Sequence, residues 1–232
     1  MKVNKFDLIL FDADDTLFDF RKCQEDAFGG LAEWLQIENV AQAHARFYEI
    51  NIQFWKKFEL NQISGPDLAI GRFKVWLDEL GLKNSPSVCN RFYLEKLSKQ
   101  QHLLSGAVEL CQILSKYVRM AIVTNGFASV QRPRMEKSPL SEYMEHIFIS
   151  EECGYKKPER AIFDLALQKM NLEDRKRVLM VGDRIDVDVL GAQRAGIQAC
   201  WVNYADLKTS GEIQPEFEVK SLLELQNLLV DH

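Results

Sequence analysis

The sequence predicts an α/β fold, a doubly wound parallel sheet core with an inserted all-helical domain. Short apolar runs that suit buried parallel strands recur along the chain. Amphipathic helical patterns lie between the later runs, and this alternation is typical of strands that pair in parallel. A long stretch after the first run carries helical patterns only, which indicates an insertion. Together these observations predict a Rossmann-like core interrupted by helices.

The strand candidates are short and almost wholly apolar. Residues 6–11, 118–123, 178–181 and 198–202 form four clear runs, and residues 147–150 form a weaker fifth. Strands of a parallel sheet are apolar along their whole length when helices cover both faces. The runs therefore predict a sheet that is buried on both sides.

Helical patterns follow the later strands. Apolar residues recur at helical spacing in residues 106–116, 158–170, 186–195 and 220–229. Pro158 suits a first helical turn, where the amide hydrogen that proline lacks would have no partner within the helix. We expect these helices to cover the sheet.

The helical stretch after the first strand predicts a second domain. We place the α/β core at residues 1–17 and 104–232, and the inserted helical domain at residues 18–103. The four helical patterns of the insertion cover about residues 20–37, 40–60, 66–80 and 87–101.

Composition favours a folded protein with a small-molecule partner. Hydrophobic residues make up 47% and charged residues 27%, which is ordinary for a globular chain. The formal net charge of -5 argues against a nucleic-acid polymer as partner. The apolar run before Asp12 is too short for a signal peptide or a membrane span, so no membrane partner is expected. Five widely spaced cysteines predict reduced thiols and a cytoplasmic protein, and the oligomeric state stays open.

Polar residues stand where the predicted strands end. Asp12 and Asp14 follow the first strand, residues 124–126 (Thr-Asn-Gly) follow the second, and Asp183 follows the fourth. Each group alone is more typical of a turn or a helix cap. Ligands of open α/β sheets, however, bind at the carboxyl ends of the strands, where strand order reverses. Several such groups in succession therefore predict one site.

These residue types suit phosphate ester hydrolysis. That reaction needs a nucleophile, an acid for the leaving oxygen and positive charge near the phosphoryl oxygens. Asp12, directly at the strand end, is the candidate nucleophile and would form an aspartyl-phosphate. Thr124 and the backbone amides of Asn125 and Gly126 would donate hydrogen bonds to the phosphoryl oxygens.

Converging carboxylates require a cation. Two like charges ~4 Å apart repel by about 4 kcal/mol at an effective dielectric of ~20, and a bound phosphate adds further negative charge. Oxygen donors without histidine or cysteine favour Mg²⁺, with Asp12 and Asp183 as side-chain ligands. Asp188 is expected to support the site by orienting a metal-bound water or a lysine. In an extended segment alternate residues share a face, so Asp14 should face the site while Asp15 faces away.

The motifs "DADDT", "TN", a lysine before proline and "GDRIDVD" resemble, in this order, those of the haloacid dehalogenase superfamily of phosphatases. The resemblance covers the whole chain, because the inserted helices match that family's cap domain. It implies that Asp14 protonates the leaving oxygen and later activates water, while its main-chain carbonyl helps to hold the metal. It also implies a lysine that neutralises the nucleophile, and Lys157, directly before Pro158, matches, with Lys156 as the alternative. The catalytic candidates are Asp12, Asp14, Thr124 and Lys157.

Within that superfamily the sequence is most similar to the pyrimidine 5′-nucleotidases of the house-cleaning type. The similarity rests on "FDADDTLF", "TNGF" and "ISEECGYKKPERAIFDLAL", together with "GRFKVWLDELG" in the insertion. It implies hydrolysis of pyrimidine nucleoside monophosphates such as UMP, dUMP and dTMP.

Three alternatives remain open. The first is a related phosphatase or mutase acting on phosphoglycolate or a sugar phosphate. The second is a haloacid dehalogenase, but those enzymes need no metal and generally lack the second aspartate, which Asp14 supplies here. The third is a receiver domain, a signalling protein phosphorylated on aspartate, although receivers are much shorter and carry no helical insertion.

Overall fold

The computed structural model describes residues 5–208 and 211–230, which form two compact units. The described residues up to Phe20 and from Gln101 onward make up the first unit, and Arg21–Gln100 make up the second. The predicted junctions lay at residues 17/18 and 103/104. Phe18 lies inside the first unit because it forms bridges with Asp14 and Leu103.

Every helix in these ranges is too short or too polar to cross a bilayer.

A parallel sheet forms the centre of the first unit. Its described strands are β1 (Leu8–Phe11), β2 (Arg119–Thr124), β3 (His146–Ile149), β4 (Val178–Gly182), β5 (Gln198–Val202) and β6 (Phe217–Val219). They are arranged in the order β3-β2-β1-β4-β5-β6, and each neighbouring pair is parallel. Strand order reverses at β1, which lies between β2 and β4. The α/β fold class predicted from the sequence is confirmed, and the weak fifth strand is β3.

Helices cover both faces of the sheet. On one face, Ile9 and Phe11 of β1 belong to the same apolar cluster as residues of α5 (Ala107–Leu114) and α10 (Leu222–Val230). On the other face, Leu8 and Leu10 join residues of α8 (Arg160–Lys169) and α9 (Leu190–Ala195). Successive β1 residues point to opposite faces, so each one enters a core. Full burial of such a side chain stabilises the fold by about 1.5–3 kcal/mol, which explains the uninterrupted apolar run. The shorter helices α6 (Ala128–Lys137) and α7 (Ser150–Cys153) follow β2 and β3.

Two helices of the first unit begin later than predicted. α8 starts at Arg160, so Pro158 precedes it instead of occupying its first turn. The helix predicted from residue 186 is replaced by a π-helical turn, Ile185–Val189, followed by α9. That turn carries Asp188, and π-helical turns are frequent at functional sites.

The second unit is helical. Its elements are α1 (Phe20–Trp34), whose first residue belongs to the other unit, α2 (Val40–Glu59), α3 (Gly65–Glu79) and α4 (Pro86–Leu97). α3 starts at a capping box, in which Ser64 and Asp67 satisfy each other's backbone amides. The core of the unit is aromatic and contains Phe28, Phe47, Phe73, Trp76 and Tyr93.

A buried arginine lies in this aromatic core. Arg72 donates to the side-chain oxygens of Asn51 and Asn90 at 2.7 and 3.0 Å. Its guanidinium lies over the rings of Phe73 and Tyr93. Burial lowers the pKa of Arg72 to about 10, still high enough for the side chain to stay charged at neutral pH.

Candidate active site

Three carboxylates meet at the carboxyl edge of the sheet. Asp12 directly follows β1, Asp183 directly follows β4, and Asp188 lies in the π-helical turn after β4. One oxygen from each carboxylate lies within 4.8 Å of the other two. β1 and β4 are neighbours in register, with Phe11 opposite Val181, so the residues that follow them come out side by side. This is the point of strand-order reversal at which the sequence predicted a site.

Lys157 contacts two of these carboxylates. Its Nζ lies 2.5 Å from Asp12 Oδ1 and 2.8 Å from Asp188 Oδ1, and the residue is only 1% exposed. Lys156 points elsewhere and pairs with Glu159 at 3.5 Å. The geometry therefore brings Lys157, and not Lys156, to the site.

The side chain of Asn125 holds the backbone of Lys157 in place. Asn125 Nδ2 donates to the Lys157 carbonyl at 2.9 Å, and the Lys157 amide donates to Asn125 Oδ1 at 2.8 Å. Paired bonds of this kind fix a loop as a backbone ladder would. Asn125 was predicted from its backbone amide alone, and this side-chain function was missed.

Burial and mutual repulsion shape the ionisation of the carboxylates. Burial raises the pKa of Asp12 to about 7, with Lys157 opposing the rise and Asp188 adding to it. Burial also raises the pKa of Asp183 well above its ordinary value, and the charges of Asp12 and Asp188 act in the same direction. Burial works against the charge of Lys157, but Asp12 and Asp188 outweigh it and raise its pKa. The carboxylates outnumber the ammonium, so the site favours a further cation.

Glycine at position 182 lets Asp188 enter the site. A Cβ at Gly182 would lie 2.2 Å from Asp188 Oδ2, a distance that no side chain tolerates. The π-helical turn folds Asp188 back toward β4, where Asp188 Oδ2 accepts a hydrogen bond from the Arg184 amide at 3.0 Å. Asp186 of the same turn is exposed and pairs with Arg184 instead.

Asp183 is held from two sides. Thr16 Oγ1 donates to Asp183 Oδ1 at 3.3 Å, and the indole Nε1 of Trp201 donates to the Asp183 carbonyl at 2.8 Å. Trp201 is 2% exposed and lies on the neighbouring strand β5, so it anchors the β4 end rigidly. Neither supporting residue was predicted, since each contact depends on which strands are neighbours.

Asp14 lies beside the carboxylate cluster and has partners that the sequence analysis missed. Arg134 Nη1 donates to Asp14 Oδ1 at 2.6 Å, and Gln131 Nε2 donates to Asp14 Oδ2 at 2.5 Å. Both donors belong to α6, the helix that follows residues 124–126. Their spacing of three positions on one helix, next to buried Val130 and Met135, was the available signal.

Asp15 lies outside the buried carboxylate cluster, although its charge contributes to the raised pKa of Asp183, and strand alternation does not explain its position. Alternation along an extended strand requires residues 12–16 to be extended, but the chain turns after Asp14. Asp15 adopts a φ of 57°, its amide donates to the Phe18 carbonyl at 2.9 Å, and its side chain is exposed. Asp15 Oδ1 accepts from the Phe20 amide at 3.2 Å.

The segment after β2 contributes Thr124, Asn125 and Gly126. Thr124 is the last residue of β2, is 1% exposed, and lies opposite Ile149 in the sheet. The Gly126 amide, expected to face a phosphate, donates to Ser150 Oγ at 3.1 Å. It can bind a phosphoryl oxygen only by sharing or giving up this bond, whereas Thr124 ends β2, the strand that pairs with β1.

Known proteins resemble this chain in both sequence and fold. Residues 6–196 match a family model described as haloacid dehalogenase-like hydrolase. The pyrimidine 5′-nucleotidase YjjG of Escherichia coli is 35% identical over 98% of this chain and 100% of its own. The pyrimidine 5′-nucleotidase PynA of Streptococcus pneumoniae is 31% identical over 97% of this chain and 95% of its own. A crystal structure of the putative HAD-hydrolase YfnB of Bacillus subtilis, bound to magnesium, superposes with a TM-score of 0.91 at 29% identity, covering 97% of this chain and 99% of that one.

Proposed function

The chain belongs to the haloacid dehalogenase-like hydrolase family, and we propose that it is a Mg²⁺-dependent phosphatase that acts through an aspartyl-phosphate on pyrimidine nucleoside 5′-monophosphates. The observation that supports this best is the buried contact between Asp12 and Lys157 at the carboxyl edge of the sheet. A carboxylate held there by one lysine, beside two further carboxylates, suits attack on an anionic phosphate only if more positive charge is present.

The donor set fits Mg²⁺. The carboxylate oxygens of Asp12 and Asp183 lie close together, and the raised pKa of each indicates an environment in which a cation would stabilise the ionised form. Both oxygens of Asp188 already have partners, Oδ1 with Lys157 and Oδ2 with the Arg184 amide, whereas the contact of Lys157 with Asp12 is to Oδ1. Asp12, Asp183 and the main-chain carbonyl of Asp14 would therefore hold the ion, while Asp188 supports the site through Lys157. Bound Mg²⁺ would neutralise charge on the phosphoryl oxygens.

The first chemical step forms the aspartyl-phosphate. The Asp12 carboxylate attacks phosphorus, the ester P–O bond breaks, and the leaving oxygen takes a proton from Asp14. Lys157 favours the ionised form of Asp12 and orients it, because its ammonium is 2.5 Å from the carboxylate. Thr124 and the Asn125 amide donate to the phosphoryl oxygens, and the Gly126 amide joins them by sharing its bond to Ser150 Oγ.

The second step regenerates the enzyme. Asp14, now ionised, removes a proton from a water molecule, whose oxygen attacks phosphorus and breaks the bond to Asp12. Inorganic phosphate leaves, Asp12 is a carboxylate again, and Asp14 holds the proton that it began with. This double use of Asp14 requires its carboxylate to lie at the accessible edge of the site. The Asp14 side chain is 17% exposed to solvent, in keeping with that position.

Pyrimidine nucleotides are proposed as substrates because two pyrimidine 5′-nucleotidases align with almost the whole chain, including the inserted helices. We propose that the helical unit, Arg21–Gln100, is a cap domain that selects the nucleoside. A sugar phosphate or phosphoglycolate is the second candidate, since the proposed contacts of the core residues are with the phosphoryl group, which all these esters share. We also propose a cytoplasmic location, because all five cysteines are free thiols and four of them are buried.

A substrate panel with Mg²⁺ tests the proposal. Purified protein is given UMP, dUMP, dTMP, purine monophosphates, sugar phosphates and phosphoglycolate, and released phosphate is measured with and without a chelator. We expect the highest kcat/KM for the pyrimidine nucleotides and no turnover in the chelator. Equal or better turnover of sugar phosphates would overturn the substrate assignment and leave the phosphatase assignment standing.

The nucleophile has its own test. Asp12→Asn should lower turnover by at least about a thousandfold, because an amide cannot form the acyl phosphate. Asp7→Asn is the matched control, since Asp7 is exposed, precedes the same strand at its other end and pairs with Arg177. Near-normal turnover by Asp12→Asn protein would refute the aspartyl-phosphate mechanism. A single phosphorylation without turnover in the unmodified protein would favour a signalling switch instead.

A further inference from the structure

The carboxylate of Asp14 is held by two donors from one helix. Arg134 Nη1 donates to one oxygen at 2.6 Å and Gln131 Nε2 donates to the other at 2.5 Å. Arg134 Nη1 also donates to Gln131 Oε1 at 3.3 Å, so the two donors are linked to each other. With one donor on each oxygen, rotation of the carboxylate about its last torsion would break both bonds.

The donors are themselves rigid. Arg134 is fully buried and Gln131 is 4% exposed. The Arg134 guanidinium lies over the rings of Phe18 and Phe20, with 4.6 and 5.4 Å to the two ring centroids. A buried guanidinium is tolerated when a carboxylate neutralises it and its planar group is stacked. Arg134 is therefore a rigid hydrogen-bond donor to Asp14.

The placement of Asp14 distinguishes this contact from an ordinary buried ion pair. The Asp14 side chain is partly accessible to solvent, whereas its two donors on α6 are buried. Each carboxylate oxygen has two lone pairs, and the clamp occupies one on each. A lone pair on the accessible side stays available to carry a proton toward a bound ester.

We propose that Arg134 and Gln131 are positioning residues that aim the Asp14 carboxyl group at the leaving oxygen of the substrate. The inference rests on the proposed function, in which Asp14 is the general acid and base. Helix α6 directly follows the phosphate-binding segment 124–126. By holding Asp14, the same helix also fixes the position of the acid relative to the phosphate. Neither residue touches the reacting atoms, and both act through Asp14.

Two esters of similar shape but different leaving groups test this. 4-Nitrophenyl phosphate releases a weakly basic oxygen that needs little protonation, whereas phenyl phosphate releases a more basic one that depends on the acid. The measured quantity is kcat/KM for each ester, which reports every step up to departure of the leaving group. The variants are Asp14→Asn, Gln131→Met, Arg134→Lys and Arg134→Gln. The control is Arg132→Gln, which removes a partly exposed arginine of the same helix, α6, that pairs with Glu152 of α7.

Asp14→Asn should lower the rate on phenyl phosphate by roughly a hundredfold or more, and the rate on 4-nitrophenyl phosphate much less. Gln131→Met and Arg134→Gln should show the same selectivity, with about a tenfold greater loss on phenyl phosphate, and Arg134→Lys should recover part of it. Arg132→Gln should leave the ratio of the two rates unchanged.

The results separate the inference from the proposed function. If Asp14→Asn is selective while the folded Gln131 and Arg134 variants lose both activities equally or not at all, the clamp has no positioning role and Asp14 keeps its own. If Asp14→Asn lowers both rates equally, Asp14 is not the acid and the inference falls with that assignment. Circular dichroism melting identifies folded variants, and Gln131→Met, which changes volume little and leaves the charge pair intact, decides the matter if Arg134 variants do not fold.

Discussion

The Nζ of Lys157 lies 2.5 Å from Asp12 Oδ1 and makes a second ion pair with Asp188 at 2.8 Å. One ammonium thus joins the end of β1 to the turn after β4, and all three side chains are buried. Ion pairs of this kind are costly to break from one side only, because the partner charges stay buried.

Lys157→Met should therefore reduce both stability and turnover. Removal of the ammonium leaves Asp12 and Asp188 buried side by side, which we expect to lower the free energy of unfolding by about 3–5 kcal/mol. Urea denaturation without divalent cations measures this. Lys156→Met is the matched control, and it should change stability by no more than about 0.5 kcal/mol, because the 3.5 Å ion pair of Lys156 with Glu159 is long and its partner is accessible to solvent. Equal effects of the two variants would contradict the assignment of the lysine.

Stabilisation by Mg²⁺ should increase with pH. Burial raises the pKa of Asp12 to about 7 from an ordinary value of 3.8, so between these values the folded state binds more protons than the unfolded chain. The free energy of unfolding contributed by this group consequently falls as pH rises through that window. Mg²⁺ binds the ionised carboxylate, so it competes with protons at about pH 5 and not at about pH 8.

Thermal melting with and without Mg²⁺ at these two pH values checks this. The rise in Tm should be clearly larger at the higher pH, where a saturating ion contributes about 3 kcal/mol at a hundredfold excess over its Kd. Asp12→Asn protein should show a much smaller rise, because one carboxylate ligand is lost. An equal Mg²⁺ effect at both pH values in the unmodified protein would show that Asp12 is not a ligand.

Gly182→Ala should damage the site through Asp188. The added Cβ would lie 2.2 Å from Asp188 Oδ2, so the Asp188 side chain must shift, which disturbs its contacts with Lys157 and the Arg184 amide. We expect a loss of about 1–3 kcal/mol in stability and a large fall in kcat. Gly29→Ala, in α1, meets nothing within 4 Å and should instead stabilise its helix by roughly 0.5–1 kcal/mol. Unchanged kcat in Gly182→Ala protein would show that the position of Asp188 is unimportant.

Asp15→Gly should be tolerated, whereas Asp15→Ala should not be neutral. Asp15 has a φ of 57°, a conformation that glycine adopts freely and that costs alanine about 1 kcal/mol. Both variants lose the hydrogen bond from the Phe20 amide, so the difference in their stability reports the cost of the positive φ at residue 15. We expect Asp15→Gly to keep near-normal turnover and to unfold at higher urea concentration than Asp15→Ala. A large loss of turnover in the glycine variant would place Asp15 in the chemistry.

The sheet and the position of the carboxylates follow from local patterns. β1 is apolar at every residue because both faces are covered, and this pattern predicted both a parallel strand and an edge at Asp12. The same reasoning predicted the convergence of Asp12 with Asp183, since they follow strands of one parallel sheet. Local patterns predicted the first residues of helices less accurately, because Pro158 suits either a first turn or the loop before it.

The contacts that orient the site required the tertiary structure. Arg134 meets Asp14 across 120 positions of sequence, and Trp201 reaches the Asp183 carbonyl only because β5 lies next to β4. The sequence by itself determined the fold class, the strand ends and the carboxylates, because hydrophobic periodicity and the chemistry of residue types are local properties. The choice of Lys157 over Lys156, the turn at Asp15 and the clamp on Asp14 were decided by tertiary packing, since each depends on how a helix or loop is rotated against the completed sheet.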